Sequence, residues 1–433
     1  MQIEYRCTKG LLEYHFHLGH DDLSKSGIKM GEASCEIHMP PDWDIDKVHP
    51  DVIALASILI IYPFAGSRIE LPHGVSQSFH DLFKRTTKKE ILPVDPNLTP
   101  RKAPHHSVPA LAFSGGIDST AALLLLPGDS CVIFLERITP LHQKTIYNKE
   151  AALLACNTLH KEGRNVYIIK SNLEYVREPV GFPVDIANAV PGLLLSDYVG
   201  LDSVAWGTVM DSTYQVSHLK FADYSQRLHF IRWGKLFELV GMPFNQVTGG
   251  ICEVGTSIIV KNSSYRTIAR SCMRGTAKMP CGTCWKCFRK GLLDRVLDGS
   301  TPSHTEFDRF FSLPHIKRTL NMFPIHSENI ITYITAHYDG DHPIMNKLKK
   351  RTRGDTLPVK WMEKWYQPSI RLLPEKYRRS VEKQITKRLD VMNSEDERQA
   401  ESWDLETYRA TDEFQQYSAE LRMALDSHLM RPL

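Results

Sequence analysis

Two groups of residues have the types and spacing to do chemistry. The first is Ser114-Gly115-Gly116-Ile117-Asp118-Ser119-Thr120, which follows a short apolar run and opens a helical stretch. Paired glycines let the backbone turn sharply and bring N–H groups close to an anion. A helix beginning near Asp118 aims its N-terminus at the same place. The hydroxyls of Ser114, Ser119 and Thr120 add donors. Asp118 can help hold Mg²⁺ on a triphosphate, because hard oxygen ligands suit that ion. The spacing is not GxxxxGK[ST], so the Walker type of phosphate loop is excluded. An ordinary strand-to-helix turn with a serine cap is the alternative. The second group is Cys272-x8-Cys281-x2-Cys284-x2-Cys287. Four thiolates at short spacing suit a closed, tetrahedral structural Zn²⁺ site, and an iron–sulfur cluster is the competing occupant. Lys278, Lys286, Arg289 and Lys290 are expected to offset its negative charge.

These residues need elements to position them. From about residue 108 the chain reads as alternating strands and helices. Strands are expected at 108–113, 131–135, 165–169 and 203–206. Helices are expected at about 119–126, 148–162 and 185–199. This order predicts an α/β fold with a parallel sheet covered by helices, and ligands in such sheets bind at the carboxyl ends of the strands. Residues 1–105 read as a separate N-terminal mixed α+β module. It has alternating strands at 11–16 and 33–39 and a buried helix from Val52 to Phe64, and its end is marked by the proline-rich stretch 93–106. Residues 106–300 form the nucleotide-binding domain with the cysteine site. Residues 301–433 form a helical C-terminal extension, acidic from Ser394 onward.

With 433 residues, two or three domains are expected. A net charge of +3 demands no acidic partner by itself. The stretch 347–388 is strongly basic, with Trp361, Trp365, Tyr366 and Tyr377 interleaved. It could follow a nucleic-acid backbone or form a solvated helical face whose aromatics lie in the core. Met1 to Arg6 shows no basic stretch leading into an apolar run, and the apolar segment 52–64 is too short to span a bilayer. A cytoplasmic protein without membrane contact is expected. Nine cysteines argue against a disulfide framework. Cys7, Cys35, Cys131, Cys156 and Cys252 are expected to be buried free thiols.

Ser-Gly-Gly-x-Asp-Ser resembles the PP-loop of adenine-nucleotide alpha hydrolases. With the cysteine spacing, and with Arg270-Ser271-Cys272-Met273-Arg274-Gly275 leading into the first cysteine, the chain resembles the QueC family of 7-cyano-7-deazaguanine synthases over about residues 108–298. That resemblance implies a PP-loop fold using ATP, Mg²⁺ and Zn²⁺. Ser114, Gly115, Gly116, Ile117, Asp118, Ser119 and Thr120 would bind the nucleotide. Gly207 matches the family's glycine near nucleotide and substrate, and Asp211 and Ser212 resemble the Asp-Ser after it. Asp118 and Asp211 are the catalytic candidates, and His218 is a further candidate for the general base.

The resemblance implies adenylation of a carboxylate, 7-carboxy-7-deazaguanine in the family, followed by displacement of AMP by an amine. The family's Tyr-Gly-Gln-Arg-His is replaced here by Leu135 to Thr139, its Pro-Gly-Arg-Asn by Gly181 to Asp185, and its Gly-Tyr-Pro-Asp-Cys-Arg by Thr213 to His218. Added modules also set the chain apart from compact synthases. In pairing a QueC-like core with additions the chain resembles QueC-like proteins of the Qat and type IV CBASS antiviral groups, which implies ammonia or a protein N-terminus as the amine. The partners implied are a small-molecule deazapurine and a protein acceptor from the same gene island, with tRNA ranked behind them and a homodimer among the assemblies to test. Housekeeping deazaguanine synthesis, tRNA modification and a non-catalytic ATP-binding scaffold are the alternative functions.

Overall fold

The computed structural model describes residues 1–22, 27–143, 145 and 147–428. In chain order the strands are β1 (Gln2–Thr8), β2 (Leu11–His17), β3 (Lys29–Met30), β4 (Ser34–His38), β5 (Arg68–Ser76), β6 (Glu90–Asp95), β7 (Val108–Phe113), β8 (Cys131–Arg137), β9 (Val166–Ser171), β10 (Arg177–Glu178), β11 (Leu201–Ala205) and β12 (Phe244–Asn245). The described helices of nine residues or more are α1 (Pro50–Ile61), α2 (Gln77–Thr87), α3 (Ile117–Leu125), α4 (Glu150–Lys161), α5 (Glu253–Lys261), α6 (Trp285–Leu297), α7 (Glu328–Ala336), α8 (Pro343–Arg351), α9 (Glu375–Thr386) and α10 (Asp412–Asp426).

β8 is apolar along nearly its whole length and buried from Cys131 to Glu136, the pattern of a parallel strand covered on both faces. It pairs in parallel with β7 and β9, and β7 pairs in parallel with β11 and β11 with β12. The parallel block expected for residues 106–300 is present, but it does not end there. β9 pairs antiparallel with β4, so the N-terminal strands continue one ten-stranded mixed sheet in the order β12-β11-β7-β8-β9-β4-β2-β1-β5-β6. β1 and β2 have one solvated face and alternate in burial, which suits their antiparallel pairing.

The expected buried helix is α1, apolar all round and buried from Asp51 to Ile61. Asp51 accepts bonds from the backbone N–H and hydroxyl of Ser76 at 2.8 and 2.7 Å, tying α1 to the start of α2. The stretch read as a linker is pinned: β6 extends to Asp95, and Arg101 is buried. The Arg101 guanidinium pairs with Asp197 at 2.6 Å and donates to the carbonyls of Ser196, Leu201, Val240 and Gly241. The single helix expected over 185–199 is broken into a 3₁₀ turn (Ala187–Ala189) and two short helices (Val190–Leu194 and Ser196–Val199). Pro191 has no N–H to continue the earlier turn, so helix restarts there.

The C-terminal helices pack back onto the sheet domain. Trp365 bridges to Ile251 and Val391, and Tyr377 donates to Asp202 at 2.7 Å. Trp361, Trp365, Tyr366 and Tyr377 are all in the core. Arg351, Lys364, Arg371 and Lys376 pair with Glu328, Asp396, Asp223 and Asp202. The four aromatics of the basic stretch therefore serve the core and present no stacking platform. No described helix is long and apolar enough to cross a membrane.

Candidate functional site

The carboxyl ends of β7, β8, β9 and β11 open into a cavity of about 1340 Å³. That exceeds the roughly 300–1,000 Å³ usual for one ligand, so two substrates have room. Ser114, Gly116, Asp118 and Ser119 line it, as do Gly207, Asp211 and His218. Four of the seven expected loop residues therefore meet the second expected segment in one space, while Gly115, Ile117 and Thr120 lie outside its lining.

The loop is built by local chemistry. Gly115 takes a positive φ of +73°, and a Cβ there would lie 2.9 Å from the Ala152 backbone. Gly116 opens α3 without a side-chain cap, leaving donors at the helix N-terminus for an anion. The Ser114 and Ser119 hydroxyls lie 3.0 Å apart. The Thr120 hydroxyl is not in the cavity lining and donates to the Gly116 carbonyl at 2.8 Å, so it holds the turn. Gly207 packs on the start of α3, where a Cβ would lie 2.4 Å from the Ser119 nitrogen.

The segment before the first cysteine runs along this loop. Arg270 N–H donates to the Gly115 carbonyl at 2.8 Å, and Ile117 N–H donates to the Ser271 hydroxyl at 3.3 Å. The four cysteine sulfurs then gather within 4.8 Å of one another. Cys272 and Cys284 are 4.0 Å apart, Cys281 and Cys287 3.7 Å, and Cys284 and Cys287 3.5 Å. Tetrahedral Zn–S bonds of about 2.3 Å place sulfurs about 3.8 Å apart, so the cluster fits a metal such as zinc. Of the other thiols, Cys35, Cys131, Cys156 and Cys252 are buried as expected, and Cys7 is partly exposed.

Cys284 caps α6 and Cys287 sits in its first turn. The cysteine cluster therefore fixes the start of the helix that carries Lys286, Arg289 and Lys290 to the cavity. Arg289 and Lys290 do not serve as counter-charges to the thiolates. Arg289 pairs with Glu253 at 2.8 Å and donates to the Ser327 hydroxyl. Lys290 pairs with Asp118 at 3.2 Å and with Glu253 at 3.4 Å. One helical turn sends these side chains inward because Glu253 and Asp118 wait there. Lys286 lines the cavity with no anionic partner among the described residues, and burial with the neighbouring Lys290 lowers its pKa.

Asp118 also accepts from the Thr256 hydroxyl at 2.7 Å. Burial would raise its pKa, but Lys290 and this hydroxyl together hold it below the usual carboxylate range. Asp211 lies on a short helix (Met210–Thr213) and accepts from Glu253 N–H at 2.9 Å and from the Asn329 amide at 2.6 Å. Burial, and then the nearby Glu253 charge, push its carboxyl up to about 6. His218 is exposed, with Nδ1 3.0 Å from the Ser217 hydroxyl.

Several residues of the site carried no signal in the sequence: Glu253 and Met322 to Ser327 from the extension line the cavity, and Thr256 bonds Asp118 from behind. The helical spacing of Lys286, Arg289 and Lys290 was the one available sign of a basic face. A family model described as a family of unknown function (DUF6395) matches residues 232–404. That block starts after the loop and joins the cysteine cluster to most of the extension. No curated protein and no solved structure matches the chain.

Proposed function

We propose that this cavity is the active site of an AMP-forming PP-loop ligase or synthase. By its resemblance to the QueC family, it would adenylate 7-carboxy-7-deazaguanine and join it to ammonia or a protein N-terminus, in antiviral defence. The supporting observation is convergence: the Ser-Gly-Gly-Ile-Asp-Ser turn and the cation-bearing helix behind the four cysteines face the same cavity. The uncapped N-terminus of α3, Ser114, Ser119 and Lys286 would hold the β and γ phosphates of ATP. Asp118 is the carboxylate available to Mg²⁺, with Lys290 as its competitor. Zinc at the four cysteines would supply fold and no chemistry.

In this reading the substrate carboxylate attacks the α phosphorus and pyrophosphate leaves. Preorganised N–H groups and Lys286 stabilise the charge gathering on the leaving group. The amine then displaces AMP. Holding the reactants together in one cavity can supply roughly 7–11 kcal/mol of the barrier reduction.

The test is incubation of the purified protein with ATP, Mg²⁺ and 7-carboxy-7-deazaguanine, with and without ammonia and the products of neighbouring genes, followed by mass spectrometry. AMP with an amide, a nitrile or a mass-shifted partner protein is the expected result. Absence of AMP under all these conditions would refute the deazapurine reading.

A further inference from the structure

One wall of the cavity comes from the C-terminal extension. Met322 to Ser327 line it, and the backbone on either side of His326 is clamped. Ile325 N–H donates to Glu328 at 2.8 Å, Glu328 pairs with Arg351 at 2.7 Å, and Ser327 accepts from Arg289. Ile325 and Ser327 are buried, whereas His326 is open to the cavity. Its ring meets Trp285 at a centroid distance of 6.5 Å and has no hydrogen-bond partner among the described residues.

The carboxylates that line the cavity are engaged. Asp118 is held by Lys290 and Thr256, Glu253 by Arg289 and Lys290, and Asp211 by Glu253 N–H and Asn329. Glu136 pairs with Lys149, and Glu36 lies 3.3 Å from His38. His218 keeps Nε2 open, with Nδ1 beside Ser217.

We infer that His326 is the general base of the amine-transfer step, supplied by the extension and not by the nucleotide-binding core. This rests on the ligase reading above. The charged and titratable groups around it are Arg289 and Lys286 from α6, Glu253 from α5 and His218 from the loop after Met210–Thr213. Burial, and then Arg289, lower its pKa against the opposing pull of Glu253, so the imidazole is a free base at neutral pH. The amine lone pair forms the C–N bond to the acyl carbon. The acyl C–O bond to AMP breaks, and its electron pair leaves on the phosphate oxygen. The N–H proton passes to His326, which returns it to water through the open cavity.

The test separates the two half-reactions. Exchange of labelled pyrophosphate into ATP, with 7-carboxy-7-deazaguanine present, reads adenylation. Amide formation at saturating ammonia reads transfer. In His326→Gln, exchange stays within about twofold, while transfer falls about 100- to 10,000-fold. The rise of the transfer rate with pH below neutrality disappears, and added imidazole restores transfer in His326→Ala. Unchanged transfer, an equal fall in both half-reactions, or a loss confined to His218→Gln would overturn the assignment. If the unaltered protein shows no exchange, the ligase reading fails first and takes this one with it. Exchange that persists with transfer indifferent to position 326 sinks the His326 role alone.

Discussion

Lys290 shows what a single buried charge does in this protein. It is enclosed, and the charges of Asp118 and Glu253 outweigh the cost of burial and raise its pKa. Asp118 depends on it for an ion pair whereas Glu253 also has Arg289, and removing one member of a buried pair typically costs ~3–5 kcal/mol because the other is left uncompensated. Asp211 is the opposite case: its charge has two neutral donors and no cation. Its folded-state carboxyl sits near 6 against an ordinary 3.8. The folded protein therefore holds this proton where the unfolded chain has released it. The sign is unfavourable at high pH: stability from this group is greatest below about 4 and is lost as pH rises through about 6, on the order of 3 kcal/mol. Urea unfolding at pH 4.5 and 7 should show a smaller difference in Asp211→Asn than in the unaltered protein.

At the scale of elements, α6 links the cysteine cluster to the cavity. Its first turn contains Cys284 as cap and Cys287, and the following turn presents Arg289 and Lys290. The Arg270–Cys272 segment bonds directly to the backbone of the Gly115–Ile117 turn. A metal that fits the four sulfurs thus fixes both the loop's neighbour and the helix with its cations. Cys284→Ser is expected to lose the bound metal, measured by elemental analysis. Affinity for ATP should fall at least tenfold by calorimetry, while the far-ultraviolet signal of the sheet is largely kept. Retained ATP affinity in a metal-free variant would show that α6 is held without the metal.

At the scale of the whole molecule, the extension completes the cavity and the core. Phe288 of α6 packs against Phe310 and Phe311 at 5.3 and 6.1 Å, and Asn329 holds Asp211. Trp365, fully buried, bridges Ile251 of the sheet domain to Val391 of the extension. A chain ending at residue 300 would expose these apolar faces and leave Arg289 without Ser327. It is expected to be insoluble or rapidly digested by trypsin. A stable, cooperative unfolding transition in that fragment would contradict this.

The sequence by itself determined what depends on neighbours in the chain. The Gly115-Gly116 turn, the start of α3, the cysteine spacing and the parallel strand order follow from local propensity and periodicity, and the structure has all four. Tertiary structure decided the partners. Lys290 lies 172 residues from Asp118 and Arg289 lies 36 from Glu253, and no local rule says that these charges meet. The join between β4 and β9 and the arrival of His326 at the cavity belong to the same class. They arise because an unpaired strand edge and an open cavity wall must be covered, and the chain that covers them comes from its two ends.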